Sequence, residues 1–187
     1  PSEIWEAYDM ELNEKTLSSQ LVYDGQLLKV YYDTVELVDG NTSWREVIRH
    51  PGAVVVVPID SQGNVHMVRQ FRYPYGRVLL EVPAGKLEPG EDPFSAAQRE
   101  LSEEVGAQAA QWTPIGQMMP TPGFCDELQH VYLAQDLTFG EIHPDEDEFL
   151  SVERIPFDEL IHRVSTGEIE DAKTVAAALK AKTLLAR

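Results

Sequence analysis

Four glutamates and one arginine lie close together in the middle of the chain, and their types suit the binding of a cation. Glu100, Glu103 and Glu104 are three and four residues apart, so on a helix they are neighbours and repel one another. A cation relieves this repulsion, and hard carboxylate oxygens suit Mg2+ or Mn2+. Arg99 lies four residues before Glu103 and can pair with it, whereas Glu91 can brace the preceding turn or the arginine.

The helix that must position these carboxylates is indicated by its own boundary signals. Asp92 is a good N-cap, and Pro93 suits the first turn because proline has no N–H to lose there. Gly106 is a typical C-terminal stop. An apolar stripe at helical spacing runs between them and consists of Phe94, Ala97, Leu101 and Val105. We therefore predict a helix from about Pro93 to Val105, with a buried face beside the acidic one.

The whole stretch resembles the signature of the Nudix hydrolase family. It reads Gly85, five residues, Glu91, seven residues, and then Arg99-Glu100-Leu101-Ser102-Glu103-Glu104-Val105-Gly106-Ala107. Every fixed position of the signature is present except the last, where Ala107 replaces a bulkier aliphatic residue. An isolated acidic run usually forms only a solvated helix face, but the combined offsets of glycine, arginine and glutamates favour the metal-binding interpretation.

The resemblance implies a reaction and a set of site residues. The family cleaves nucleoside diphosphates linked to another moiety, by attack of water on phosphorus with a divalent metal. The metal ligands it implies are the backbone carbonyl of Ala84 and the carboxylates of Glu100, Glu103 and Glu104, with Glu148 as a further candidate. Its structural residues are Gly85, Glu91, Arg99 and Gly106. A loop glutamate can act as the general base, for which we predict Glu146, with Glu148 as the competitor.

Several further stretches are similar to the ADP-ribose and nucleotide-sugar pyrophosphatase branch of the family. They are residues 44–52, 68–72, 80–85, 121–127 and 167–174. That branch has a proline sixteen residues beyond the last glycine of the signature, which is Pro122 here, with Pro120 nearby. Arg49 and Arg72 are candidate phosphate or ribose contacts, because guanidinium groups pair bidentately with phosphate oxygens. Trp44 is a candidate to stack on the base.

Hydrolysis of ADP-ribose to AMP and ribose 5-phosphate, assisted by Mg2+, is the predicted reaction. Another nucleoside diphosphate sugar, such as GDP-mannose or ADP-glucose, stays open, because base and sugar contacts depend on the pocket and not on the signature. A non-catalytic ADP-ribose sensor is the third hypothesis. Such modules tend to lose signature carboxylates or to carry a DNA-binding extension, and the sequence shows neither.

Composition and net charge limit the kinds of molecule that the chain can bind. The chain has 187 residues, of which 43% are hydrophobic, enough for one sizeable core. Its formal net charge of −17 speaks against nucleic acid and anionic membranes as partners. The single cysteine, Cys125, cannot form an internal disulfide, and we find no signal-peptide pattern. We expect a cytoplasmic enzyme that acts on a small nucleotide sugar.

The elements around the signature predict two parts, residues 1–50 and 51–187. Asp24-Gly25 and Asp39-Gly40-Asn41 are hairpin signals, so we expect a small antiparallel sheet at the N-terminus. In the branch that the chain resembles, this sheet exchanges between subunits, which implies a homodimer.

The part that follows is predicted to hold the catalytic site. Its apolar run at 53–59 indicates a strand buried on both faces, and 65–71 is predicted as the hairpin partner of that strand. Strands and helices are mixed along the rest of the chain, which predicts an α+β fold. The Nudix resemblance implies the same, as an α/β/α sandwich with a mixed sheet.

Overall fold

A computed structural model of the chain describes residues 12–143 and 149–186. These residues form two compact units. The first contains the N-terminal residues up to His50 together with Thr121–Asp126, and the second contains Pro51–Pro120 and the described residues from Glu127 onward. A short loop far along the chain therefore groups with the N-terminal strands.

The first unit is a three-stranded antiparallel sheet. Its strands are β1 (Lys15–Asp24), β2 (Lys29–Glu36) and β3 (Thr42–Arg49), arranged in that order. Both predicted hairpin turns are present, so the prediction of an antiparallel N-terminal sheet is confirmed. The Ile48 N–H donates to Phe124 O at 2.7 Å, and the Asp126 N–H donates back to Ile48 O at 3.2 Å. These bonds attach the 121–126 loop to the end of β3.

The second unit contains two sheets and three helices. Its strands are β4 (Ala53–Pro58), β5 (Asn64–Arg72), β6 (Arg77–Glu81), β7 (Ala84–Lys86), β8 (Ala107–Met118), β9 (Gln129–Phe139) and β10 (Leu150–Pro156). Its helices are α1 (Pro93–Val105), α2 (Phe157–Ser165) and α3 (Ala172–Leu185). One sheet has the order β7-β4-β9-β8 and the other the order β10-β5-β6. Since β4 and β9 are parallel and their other neighbours antiparallel, the first sheet is mixed.

Strand β4 lies at the centre of the core, with every residue buried. Val54 and Val56 belong to the apolar cluster that includes Leu101 of α1. Val55 and Val57 point to the opposite face and belong to the cluster formed with α2 and α3. Helices thus cover both faces of the mixed sheet, as successive side chains of a strand alternate between faces. The predicted α+β sandwich is confirmed.

One predicted pairing is wrong, because β5 is not the hairpin partner of β4. The two strands belong to different sheets and are joined only by an isolated bridge between Ile59 and Val65. Strand β4 pairs with β9 along its whole length and with β7 at residues 53–55. Strand β5 instead pairs with β6 and β10. A short connecting turn signals a reversal of the chain but does not specify the sheet that the next strand joins.

None of the helices in the part of the chain that the structure describes is long and apolar enough to cross a membrane.

Candidate active site

Helix α1 has the predicted boundaries, Pro93–Val105. The Asp92 carboxylate accepts the Ser95 N–H at 3.0 Å, and Gly106 ends the helix with a φ of 65°. Such a left-handed conformation suits glycine because it has no Cβ. Leu101 and Val105 are buried as predicted, whereas Phe94 remains 39% exposed. Caps and core contacts together fix the rotation of α1, and with it the direction of its carboxylates.

Arg99 forms hydrogen bonds with three glutamates of the acidic cluster. Its Nε and Nη2 donate to the two carboxylate oxygens of Glu91 at 2.9 and 3.0 Å. Its Nη1 donates to Glu100 at 2.8 Å and to Glu103 at 2.9 Å. The hydrogen bond from Arg99, helped by the Glu88 N–H, lowers the pKa of Glu91 to about 2. One arginine therefore forms hydrogen bonds with three carboxylates.

Strand β7 brings the start of the signature against the two buried glutamates of α1. A Cβ on Gly85 would lie 1.8 to 2.4 Å from the carboxylate atoms of Glu100, so only glycine leaves room for that side chain. The Ala84 N–H donates to Glu104 Oε2 at 3.1 Å. Glu100 is 8% exposed and Glu104 only 2%. The predicted ligands Ala84, Glu100 and Glu104 therefore lie together, with the less buried Glu103 beside them on α1.

The chemistry of this cluster fits a divalent cation. The side chains of Glu100, Glu103 and Glu104 offer only carboxylate oxygens as metal ligands, and hard cations prefer such ligands. In the arrangement observed, Arg99 supplies the positive charge. Across residues 12–143 and 149–186, no three His, Cys, Asp or Glu side chains are arranged as a site for a metal ion.

The acidic loop that carries both predicted bases starts next to this cluster. The Gly140 N–H donates to Gly106 O at 2.6 Å, and the His143 N–H donates to Glu103 O at 3.1 Å. These bonds tie the beginning of the loop to the last turn of α1. Glu146 and Glu148 themselves lie outside the described residues.

Arg72, predicted as a substrate contact, belongs to a second charged cluster in the same unit. Its Nε and Nη2 each donate to an oxygen of Glu81 at 2.7 Å, and Lys173 of α3 also donates to Glu81. Burial alone raises the pKa of Glu81, but these two cations outweigh it and hold the pKa below its usual value. The pKa of Arg72 is raised, first by its bond to Glu81 and also by the charges of Asp171 and Glu104. This second cluster thus lies within electrostatic reach of the first.

The other predicted substrate contacts lie in the first unit. Arg49 donates to Asp33 at 3.0 Å and to Asp126 at 3.2 Å, and its guanidinium lies 5.8 Å from the centre of the Tyr31 ring. Trp44 is 55% exposed and stacks on Tyr32 with ring centres 6.0 Å apart. Pro122 is exposed on the 121–126 loop. Two ion pairs therefore hold Arg49, while Trp44 presents an open aromatic surface.

The sequence did not indicate the partners of Arg49 and Arg72, the two predicted substrate contacts. Glu81 and Lys173 both occur in stretches that carry the family resemblance, but nothing in their spacing links them. Asp33 and Asp126 likewise come from separate segments. One feature of the sequence does indicate that Glu81 has a partner. It lies next to apolar strand residues, and a buried charge requires a partner.

The comparisons with known proteins agree with the fold and the signature. Residues 49–178 match the NUDIX domain, and residues 14–48 match the nucleoside diphosphate sugar hydrolase N-terminal domain. The chain therefore belongs to the Nudix hydrolase family and is an enzyme, as predicted. Members of this family generally need divalent metal ions.

Among its relatives is the ADP-ribose pyrophosphatase of Bacillus subtilis (strain 168), 42% identical over 168 residues, covering 89% of this chain and 91% of that protein. The methanol dehydrogenase activator of Bacillus methanolicus is 42% identical over 166 residues, covering 88% and 90%. A crystal structure of an ADP compounds hydrolase superposes with a TM-score of 0.83 at 26% identity, covering 92% of this chain and 94% of that one.

Proposed function

We propose that this enzyme hydrolyses the pyrophosphate bond of ADP-ribose, giving AMP and ribose 5-phosphate, with Mg2+ as its cation. The observation that carries the proposal is the signature, which matches at every fixed position except Ala107 and is folded so that Glu100, Glu103 and Glu104 lie with Arg99 beside β7. The 42% identity to an ADP-ribose pyrophosphatase along nearly the whole chain supports the choice of substrate.

The residues of α1 and β7 are proposed to hold the cation. The carbonyl of Ala84 and the carboxylates of Glu100, Glu103 and Glu104 are its ligands, with Glu148 as a further one. The bound cation supplies charge neutralisation of the pyrophosphate and lowers the pKa of water. Gly85 leaves room for the Glu100 side chain. The ion pair of Glu91 with Arg99 stabilises the loop before α1. Gly106 ends the helix, and the first residues of the acidic loop are bonded to its last turn.

Glu146 is the proposed general base, with Glu148 as the competitor. Its loop begins at the end of α1, where His143 is bonded to Glu103. A base must reach the water that attacks phosphorus, so the Glu146→Gln variant should lose most of its kcat while it still binds metal and substrate. A normally active Glu146→Gln variant would assign the role to Glu148 or to another group.

The remaining residues are proposed to recognise the nucleotide sugar. Arg72 and Arg49 bind phosphate or ribose oxygens, Trp44 stacks on the base, and Pro122 shapes the binding loop. We propose residues 1–50 as a dimerisation sheet and 51–187 as the catalytic domain of a cytoplasmic homodimer. Neither nucleic acid nor a membrane is proposed as a partner, because the net charge of −17 is unfavourable for binding to nucleic acid and to anionic membranes.

Product analysis in 18O-labelled water tests the substrate and the reaction together. ADP-ribose, ADP-glucose, GDP-mannose and NADH are compared at equal concentration with Mg2+. We expect the highest kcat/KM for ADP-ribose, with one labelled oxygen in AMP or in ribose 5-phosphate. Equal or better turnover of GDP-mannose overturns the choice of substrate. Binding of ADP-ribose without release of any phosphate product favours the sensor hypothesis.

A second candidate function comes from the relative in Bacillus methanolicus, whose identity to this chain is equally high. That relative is named as an activator of methanol dehydrogenase. Addition of this protein to a methanol dehydrogenase assay tests the same role, with the Glu104→Gln variant as control. Stimulation by the wild type alone links activation to hydrolysis, whereas no stimulation leaves ADP-ribose hydrolysis as the function.

A further inference from the structure

Arg72 is held in one orientation by a carboxylate that has almost no contact with solvent. Glu81 is 1% exposed, and its two oxygens accept the Nε–H and one Nη2–H of Arg72 at 2.7 Å each. Such a bidentate pair fixes the plane of the guanidinium. A guanidinium has five N–H groups, so this pairing leaves those of Nη1 for another acceptor. The Arg72 side chain is 38% exposed, which leaves it open to a ligand.

The orientation of Glu81 depends in turn on the N-terminus of α3. Lys173 donates to Glu81 and also to Asp171 at 2.9 Å. Asp171 caps α3 by accepting the Thr174 N–H at 3.0 Å and the Thr174 hydroxyl at 2.6 Å. That hydroxyl also accepts the Val82 N–H at 3.0 Å, just after β6 ends. The first turn of α3 is thereby fastened to the strand that carries Glu81.

Lys173 shares the buried carboxylate of Glu81 with Arg72. Its side chain is only 12% exposed, and it donates to Asp171 as well. The charges of Glu81 and Asp171 both act on Arg72, so these two cations and two carboxylates carry no net charge together. Lys173 therefore contributes by holding the Glu81 carboxylate in place, so that Arg72 keeps one orientation.

We propose that Glu81 and Lys173 are positioning residues, which together hold the guanidinium of Arg72 with Nη1 ready for the pyrophosphate of the substrate. This inference rests on the proposed function, since it takes Arg72 as a phosphate contact. Neither Glu81 nor Lys173 touches the substrate. Both act through Arg72, and kinetics can distinguish this indirect role from direct contact with the substrate.

Kinetics of the Lys173→Met variant test the proposal. Loss of Lys173 leaves the Glu81 carboxylate free to turn and to carry Arg72 with it, so KM for ADP-ribose should rise about tenfold while kcat changes less than about twofold. Lys173→Arg restores the charge and should restore KM. The exposed Lys182 in the same helix provides the control, and Lys182→Met should leave KM unchanged.

A double-mutant cycle separates positioning from a general loss of structure. If Lys173 acts through Arg72, adding Lys173→Met to Arg72→Gln raises KM no further than Arg72→Gln does alone. A full additional rise in KM in the double variant overturns the proposal. So does a fall in Tm of Lys173→Met without a change in KM, because it assigns Lys173 to stability only.

The Nε–H signal of Arg72 in 15N NMR gives a readout that needs no catalysis. We expect a sharp, protected signal in the wild type and in Lys182→Met, and a rapidly exchanging one in Lys173→Met and Glu81→Gln. Unchanged protection in both variants overturns the proposal. If the wild type cleaves none of the nucleotide sugars, the proposed function fails, while this signal still decides whether Glu81 and Lys173 hold Arg72.

Discussion

Two charged clusters in the second unit differ in their ratio of cations to carboxylates. On α1, Arg99 forms ion pairs with Glu91, Glu100 and Glu103. Near the start of α3, Arg72 and Lys173 both pair with Glu81, and Lys173 also pairs with Asp171. The first cluster has too few positive charges and attracts a cation, whereas the second leaves N–H donors for an anion. The proposed function therefore places substrate binding and metal binding on different elements of the same fold.

The largest effect is expected from Glu104→Gln, which removes one charge from the cation-poor cluster. The amide oxygen can still accept the Ala84 N–H, so the variant should fold. Because Glu104 is a proposed ligand, loss of its charge should lower kcat on the order of a thousandfold with saturating Mg2+. Steady-state release of AMP measures it, with exposed Glu88→Gln as the control of unchanged activity. If Glu104→Gln and Glu88→Gln are equally active, α1 does not hold the cation.

Gly85→Ala tests the same cluster by changing the space available to Glu100 and leaving the charges unchanged. The new Cβ would overlap the Glu100 carboxylate, which must then move. We expect kcat/KM to fall about a hundredfold, since a small misplacement of a reacting group has that cost. Circular dichroism of Gly85→Ala checks that the variant keeps the wild-type fold. Wild-type kcat/KM in Gly85→Ala would show that the position of Glu100 is unimportant.

Arg99→Met should reveal the repulsion that the arginine suppresses. Its removal leaves the buried Glu100 beside Glu91 and Glu103 without their shared cation. We expect Tm in EDTA to fall by roughly 5–10 °C and Mg2+ to recover part of the loss, because ligand binding stabilises the folded state. Differential scanning calorimetry with and without Mg2+ measures both. A Tm equal to that of the wild type in EDTA contradicts this account of Arg99.

Acid titration should produce the smallest effect. The pKa of Glu91 is lowered from 4.5 to about 2, first by its bond to Arg99. Because the folded pKa lies below the unfolded one, the ion pair stabilises the fold above pH 4.5, and this stability is lost as the pH falls towards 2. Urea unfolding across this range should show a shallower decline for Glu91→Gln than for the wild type. Parallel curves for the two proteins rule out this contribution.

The difference between the clusters also explains why the sequence predicts the glutamates of α1 but not the contacts of Arg72. Glu100, Glu103 and Glu104 lie on one short helix, so spacing alone brings them together, and capping residues mark the ends of that helix. Arg72 and Glu81 meet only because β5 and β6 pair, and Lys173 lies 92 residues after Glu81. Their contact depends on the packing of α3 against the sheet. The failed pairing of β4 with β5 has the same origin, since sheet membership is decided by distant strands.

Binding of Mn2+, followed by electron paramagnetic resonance of the free ion, tests the division between the clusters most directly. Wild type, Glu104→Gln and Glu81→Gln are titrated without substrate. The account predicts that Mn2+ affinity falls at least about tenfold in Glu104→Gln and is unchanged in Glu81→Gln. Equal Mn2+ affinity in the wild type and Glu104→Gln, or a loss confined to Glu81→Gln, would contradict it.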